Sequence, residues 1–193
     1  MRLPGFMLIC IGLGLGACAG REDLTRPPEP MGDFLLGHAI VVDRHARFLP
    51  PSRYAEDGEW KAALTEALRA RLGRYDGTRY YHVAVNVVGY ALAVPGVPLI
   101  LSPKSALVVE ATVWDDARKV KLNPEPRQFT VLESISPRTV IGSGLTQSRE
   151  AQMEGLSQNA ARQIHKWMLQ QKADWFGAPL GTGEPAAASV VEA

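Results

Sequence analysis

Two long alternating runs constrain this chain more than anything else in it. Along Tyr80–Ala93, the residues Tyr81, Val83, Val85, Val87 and Gly89 share one face, and His82, Ala84, Asn86, Val88 and Tyr90 share the other. Along Ser105–Asp115, Leu107, Val109, Ala111 and Val113 share a face, while Glu110 and Thr112 punctuate the opposite one. A period of two is the signature of a strand that buries one side. Both runs are therefore expected as long strands, the first bent at Gly89, where a missing side chain weakens the ladder. Only a loop joins them, so they are expected to be antiparallel neighbours.

The rest of the chain supplies what such a sheet must be covered with. From Asp57 to Gly73, Trp60, Ala63, Leu64, Ala67, Leu68 and Leu72 recur at helical spacing, with Asp57 placed to cap the start and Gly73 at a left-handed C′ position. A second helix of about six turns is expected from Thr146 or Ser148, with Met153, Leu156, Ala160, Ile164, Trp167 and Met168 as its apolar stripe. Its interior Gly155 costs about 1 kcal/mol in propensity, which the stripe offsets. Further strands are expected at His38–Asp43, Gln128–Ser134 and, briefly, Thr139–Ile141, with an exposed basic hairpin linking Asp115 to Arg127. The order β-α-β-β-β-(β)-α predicts an α+β fold. It should be a two-layer sandwich: one mostly antiparallel sheet of four to five strands with two helices on one face.

Composition narrows the function classes. Of 193 residues, 46% are hydrophobic and 21% charged, and the formal net charge is +1. That excludes wholesale disorder, which needs few apolar residues and a large net charge. It also argues against a nucleic-acid binder working through a strong positive field. Two cysteines are too few for a disulfide framework.

The N-terminus is more specific. Arg2 is followed by an uncharged stretch from Leu3 to Gly20, the layout of a secretory signal peptide. The stretch sits at the lower limit for a membrane span, but it contains Pro4 and several glycines and has no aromatic or basic residue at its far end. It closes on Leu15-Gly16-Ala17-Cys18. This resembles the bacterial lipobox, an apolar residue and two small residues before a cysteine. The resemblance implies that Leu15, Gly16 and Ala17 are read by the signal peptidase. It implies that the Cys18 thiol receives a diacylglyceryl group, and that the new terminal amine is acylated. Ala19 stands where aspartate resembles an inner-membrane retention signal in enterobacterial lipoproteins, which implies an outer-membrane location on the periplasmic side.

The expected organisation is then a signal peptide over 1–17, a lipidated Cys18 with a flexible Pro-rich tether to residue 36, a single domain over 37–176, and a disordered tail over 177–193. Cys10 and Arg2 leave with the signal peptide, so basic and acidic residues balance in what remains.

Little in the domain points to chemistry. His38, His45, His82 and His165 show no metal-ligand spacing, and no cofactor or metal is expected. Asp43-Arg44-His45 sets a carboxylate beside an imidazole without a positioned nucleophile. Gly142-Ser143-Gly144 stands where a loop could cradle an anion, but Leu145, Thr146 and Gln147 follow and no crossover strand completes a dinucleotide unit; a tight turn is expected. No G-x-S-x-G elbow occurs. Asp115, Asp116 and Glu125 flank a basic, proline-containing turn and are expected to be solvated. Arg69, Arg71, Arg74 and Arg79 crowd the end of the first helix and read as a solvated face that its C-terminal dipole favours.

The remaining feature is the uncharged link Ala91–Pro103, which carries three prolines. Proline prevents it from continuing a ladder. It must either fold back over the core or contact a partner or lipid, with Val94, Val97, Leu99 and Ile100 as the contact residues.

Lipobox, tether and small α/β body together resemble uncharacterised alphaproteobacterial lipoproteins. In outline they are similar to the lipopolysaccharide-assembly lipoprotein and to auxiliary lipoproteins of ABC-type lipid transport. The resemblance implies a non-catalytic accessory or assembly factor that binds another component of the Gram-negative envelope, with no nucleic-acid partner. A lipid-handling carrier and an envelope hydrolase using His45 or His82 are the alternatives. Cys18→Ala is expected to abolish incorporation of labelled fatty acid; persistent labelling would relocate the anchor.

Overall fold

Alternate residues of the two long runs face a common core in the structure, a computed structural model that describes residues 22–94, 105–133 and 148–177. The elements in chain order are α1 (Glu22–Thr25), β1 (Leu35–Val42), β2 (Arg47–Phe48), α2 (Glu59–Leu72), β3 (Tyr80–Ala91), β4 (Ala106–Asp115), β5 (Val120–Lys121), β6 (Arg127–Leu132), α3 (Arg149–Gln170) and α4 (Lys172–Phe176). The strand expected at Thr139–Ile141 lies outside the described residues.

β3 and β4 pair antiparallel from Tyr81↔Asp115 to Ala91↔Ala106. β1 lies parallel to β3 on its far side, and α2 makes the crossover between them. β6 pairs antiparallel with β4, and the two-residue β2 and β5 extend the β1 and β6 flanks. The α+β sandwich stands as expected: four main strands with α2 and α3 together on one face. The core holds Val83, Val85 and Val87 of β3, Leu107, Val109, Ala111 and Val113 of β4, and Phe129 and Val131 of β6. Trp60, Leu64, Ala67, Leu68 and Leu72 of α2, and all six stripe residues of α3, close it from the helical side.

Several local expectations change for identifiable reasons. β3 is interrupted between Val87 and Gly89, where the register against β4 shifts by one. A one-residue slip turns a side chain to the opposite face. Tyr90 is therefore buried with the core residues, and its hydroxyl accepts from the Ala55 amide at 3.1 Å. α2 is not capped by Asp57. Its N-cap is Gly58 at φ 86°, which has no side chain to offer. Asp43, at the end of β1, supplies the missing acceptor, taking the Lys61 amide at 2.9 Å. Gly73 ends α2 at φ −74°, not in the left-handed region. α3 starts as expected, with the Ser148 hydroxyl accepting from the Ala151 amide.

Asp115, the last residue of β4, is less solvated than expected, whereas Glu125 is exposed. Asp115 is 1% exposed, between the guanidinium groups of Arg79 at 3.0 Å and Arg118 at 2.7 Å. Burial pushes its carboxyl up, but the Arg118 amide and side chain outweigh that and hold it below the usual range. Arg71, expected on a solvated face, is buried. Asn123 is buried as well. Its side chain accepts from the Val113 amide and donates to the Ala111 and Glu125 carbonyls, bridging the gap between β5 and β6.

The largest departure concerns the segment read as tether. Residues before β1 are packed against the body. Met31 and Phe34 are buried, and Phe34 sits among Tyr75, Tyr81 and Phe176 with ring centroids 5.1–5.7 Å away. The Tyr75 hydroxyl donates to the Glu29 carbonyl at 2.9 Å, Lys172 pairs with Glu29, and Arg74 donates to the Arg26 carbonyl. Asp33 accepts from the Thr78 amide, which holds its carboxyl below the usual range. A polar, proline-rich composition without period reads as a flexible tether, but Met31 and Phe34 find a slot that only the assembled body creates. Phe34→Ala is accordingly expected to cost about 3–5 kcal/mol in urea unfolding. A loss under about 1 kcal/mol would make the segment peripheral.

Candidate functional site

The link after β3 leaves the sheet from an anchored base. Leu92 and Ala93 are buried. The Leu92 amide donates to Ser52 Oγ at 2.7 Å and the Ala93 amide to Ser105 Oγ at 3.1 Å, while the Leu92 carbonyl accepts from Arg53. Two serine hydroxyls thus take over the hydrogen bonding that a sheet neighbour would otherwise provide. Of the expected contact residues, Val94 is half-buried at this base. Val97, Leu99 and Ile100 lie outside the described residues, as do Leu15, Gly16, Ala17 and Cys18 and the Gly142–Gly144 turn.

A histidine–carboxylate pair stands at His82. Its Nε2 lies 3.1 Å from Asp116 Oδ1, and its Nδ1 accepts the His38 amide at 3.1 Å. Because Nδ1 accepts, the neutral ring carries its proton on Nε2 and donates it to the carboxylate. A general base would need the free ring nitrogen to face a nucleophile. Here a backbone N–H occupies it, so the geometry locks a strand pair together and offers no activated hydroxyl. Asp116 also takes Lys119 Nζ at 2.7 Å; that bond and the His82 bond hold its carboxyl below the usual range. His45 is exposed at the end of β1, apart from this cluster. His165 lies 2.6 Å from the Tyr75 hydroxyl, and burial pushes that hydroxyl up to about 12, so it stays protonated and donates to Glu29. Among the described residues no three histidine, cysteine, aspartate or glutamate side chains gather as a metal site.

Among the described residues two open surfaces adjoin the helices and the sheet. One is the sheet face away from the helices, with Ile40, Val42, Trp114 and Leu132 exposed. The other is a groove of about 470 Å³ between α2 and α3, floored by Ala63, Ala67 and Met153, rimmed by Glu66 and Glu154, and bounded at one end by Leu24. Arg149 clamps the start of both helices, its guanidinium reaching both Glu59 carboxylate oxygens at 2.7 and 2.8 Å.

Residue-by-residue reading missed Gly37 and the role of Asp116. Gly37 lies where β1 bulges between Leu36 and His38. A Cβ there would stand 2.6 Å from two atoms of the His82 ring. The sequence signal was a lone glycine inside an apolar strand, which marks a bulge or a close approach.

No protein-family model matches the chain, and no curated protein matches it in sequence. Solved structures show a distant likeness. A protein of Xanthomonas campestris is 17% identical, with 77% of this chain and 93% of that one covered and a TM-score of 0.46. A hypothetical protein of Chlamydia trachomatis is 12% identical, covering 74% and 99%, with a TM-score of 0.44. A minor lipoprotein of Acinetobacter baumannii is 18% identical, covering 67% and 92%, with a TM-score of 0.29.

Gly37→Ala is expected to destabilise by about 1–3 kcal/mol, as overpacking does. In a His82→Ala background most of that loss should disappear, because the ring that blocks the methyl group is gone. Additive losses in the urea double-mutant cycle would mean that the imidazole is not the obstacle.

Proposed function

We propose that the chain is a non-catalytic lipoprotein of the Gram-negative outer membrane. In this reading Cys18 holds it on the periplasmic side, and it serves as an accessory or assembly factor by binding another envelope component. The observation that carries the reading is Leu15-Gly16-Ala17-Cys18 at the end of an Arg2-led apolar stretch. Acyl chains contribute about 0.8 kcal/mol per buried CH₂, so two or more anchor stably without a spanning helix. Among the described residues no helix is long and apolar enough to cross a membrane. With Arg2 removed, the chain carries as many acidic as basic residues, so charge alone would not hold it at a surface.

The packed segment before β1 sharpens the geometry of that anchor. Cys18 lies four residues before Glu22, where α1 begins, and four residues span at most about 14 Å, which keeps the body close to the lipid. The non-catalytic part draws on His82, whose ring nitrogens are both committed to structural partners. Binding is the role we assign, and the described base of the apolar link is fixed by Ser52 and Ser105 at Leu92 and Ala93.

Photo-crosslinkers at Val94, Val97, Leu99 and Ile100 in cells test the reading. A specific envelope protein should be trapped, and the chain should sediment with outer membrane on a density gradient. Trapping nothing while helix-face controls cross-link would count the link as core cover. Stoichiometric phospholipid in mass spectra of the purified protein, without a trapped protein, would favour a lipid carrier instead.

A further inference from the structure

The sheet has an outer edge at β1, whose second side pairs with no described strand. Such an edge presents a row of backbone donors and acceptors, and proteins usually blunt it with charges, prolines or bulges. β1 has no charged residue and no proline from Leu35 to Val42. Its bulge lies before His38, and Ala39–Val42 run in regular register against Val83–Asn86. Ile40 and Val42 are 49% and 43% exposed beside it.

This edge is also the wall of a groove. A cavity of about 630 Å³ runs between Ala39–His45 and the outer side of α2, where Lys61, Thr65 and Arg69 line it. Arg44, Lys61 and Arg69 are exposed and have no ion pair among the described residues. The single carboxylate in the lining, Asp43, already accepts the Lys61 amide. The groove thus combines a strand edge that pairs with no described strand, an apolar step and a rim of three cations against one carboxylate.

We propose that this groove binds an extended, acidic peptide segment of a partner protein, which adds as a strand to β1. Backbone hydrogen bonds to the edge supply affinity, and alternate side chains of the added strand meet different surroundings. Those on one face lie beside Ile40 and Val42. Those on the other meet the side chains of Lys61, Arg69 and Arg44, where carboxylates are favoured and like charges are rejected. A lipid headgroup could meet the cations but would leave the row of β1 backbone groups unused. The inference rests on the reading of the protein as a binding module, and it does not depend on the anchor at Cys18.

The probe is a fluorescent nonapeptide alternating valine with glutamate, set against its valine–lysine counterpart. Both are titrated onto the full chain in phosphatidylcholine nanodiscs. The glutamate peptide should bind, and amide exchange should slow over residues 39–45. The double variant Lys61→Glu, Arg69→Glu should weaken it at least tenfold and strengthen the lysine peptide. Both side chains are exposed, and the dipole gain of a glutamate at position 61 in the first turn opposes its loss at position 69 in the last, so the melting temperature should move by no more than a few degrees, which separates lost binding from lost folding. Binding that ignores the charge reversal, or exchange that slows elsewhere and not at 39–45, would overturn the proposal. So would charge-dependent binding to phosphatidylglycerol nanodiscs with none to the peptide. Peptide binding that emerges only after Val190→Asp, Val191→Asp would mean the chain's own end occupies the groove, and would overturn it too. If the peptide fails while the crosslinker at Val94 traps an envelope protein, the groove assignment falls and the binding-module reading stands.

Discussion

The whole arrangement depends on a two-strand ladder, β3 against β4, that buries only one of its faces. Val83, Val85 and Val87 oppose Val113, Ala111 and Val109, and none is more than 2% exposed. Such a surface must be covered, and among the described residues the elements long enough are α2 and α3. α2 covers it on the way from β1 to β3, which makes β1 parallel to β3. α3 arrives after β6 and covers the β4–β6 half. The two helices then meet along alanine-rich sides and are tied at their starts by Arg149 and Glu59.

The ends of the domain are drawn into the same logic. Phe34 before β1, Tyr75 after α2, Tyr81 at the start of β3 and Phe176 at the end of α4 form one aromatic cluster. Each contributes an apolar ring to the space at one end of the sandwich, beyond the reach of the two long helices. The consequence for function is geometric. Any anchor at Cys18 is separated from this cluster by a short interval, so an anchored body would lie near its membrane. The uncharged edge of β1 begins beside the same cluster.

Most of the architecture was legible because burial imposes a period. The alternation in β3 and β4 and the stripe in α3 need no neighbours to be recognised, since half-buried strands and helices repeat at different intervals. Tyr90 was misplaced because a bulge breaks that period without changing composition. Asp57 was credited with a cap that Asp43 supplies from the end of β1, a contact across distant sequence. Asp115 looked solvated because a charged turn normally is, yet Arg79 and Arg118 converge on it only once the strands pair. The candidate site was less legible still. Chemistry-bearing residues such as His82 and Asp116 were visible individually, but their roles depend on which backbone groups face them.

Local pattern alone specifies the two-layer fold class, and it supplies the Leu15-Gly16-Ala17-Cys18 motif on which the proposed anchor rests. Both are local patterns: one is a periodicity that exposes a buried face, the other a contiguous four-residue signal. Packing between distant segments puts Met31 and Phe34 in the core, lets Gly37 make room for His82, and sets the β1 edge beside Lys61 and Arg69 of α2, which have no ion pair among the described residues. These are contacts between segments far apart in the chain. They arise when the hydrophobic face of the sheet forces the elements together, and no single segment carries the information for them.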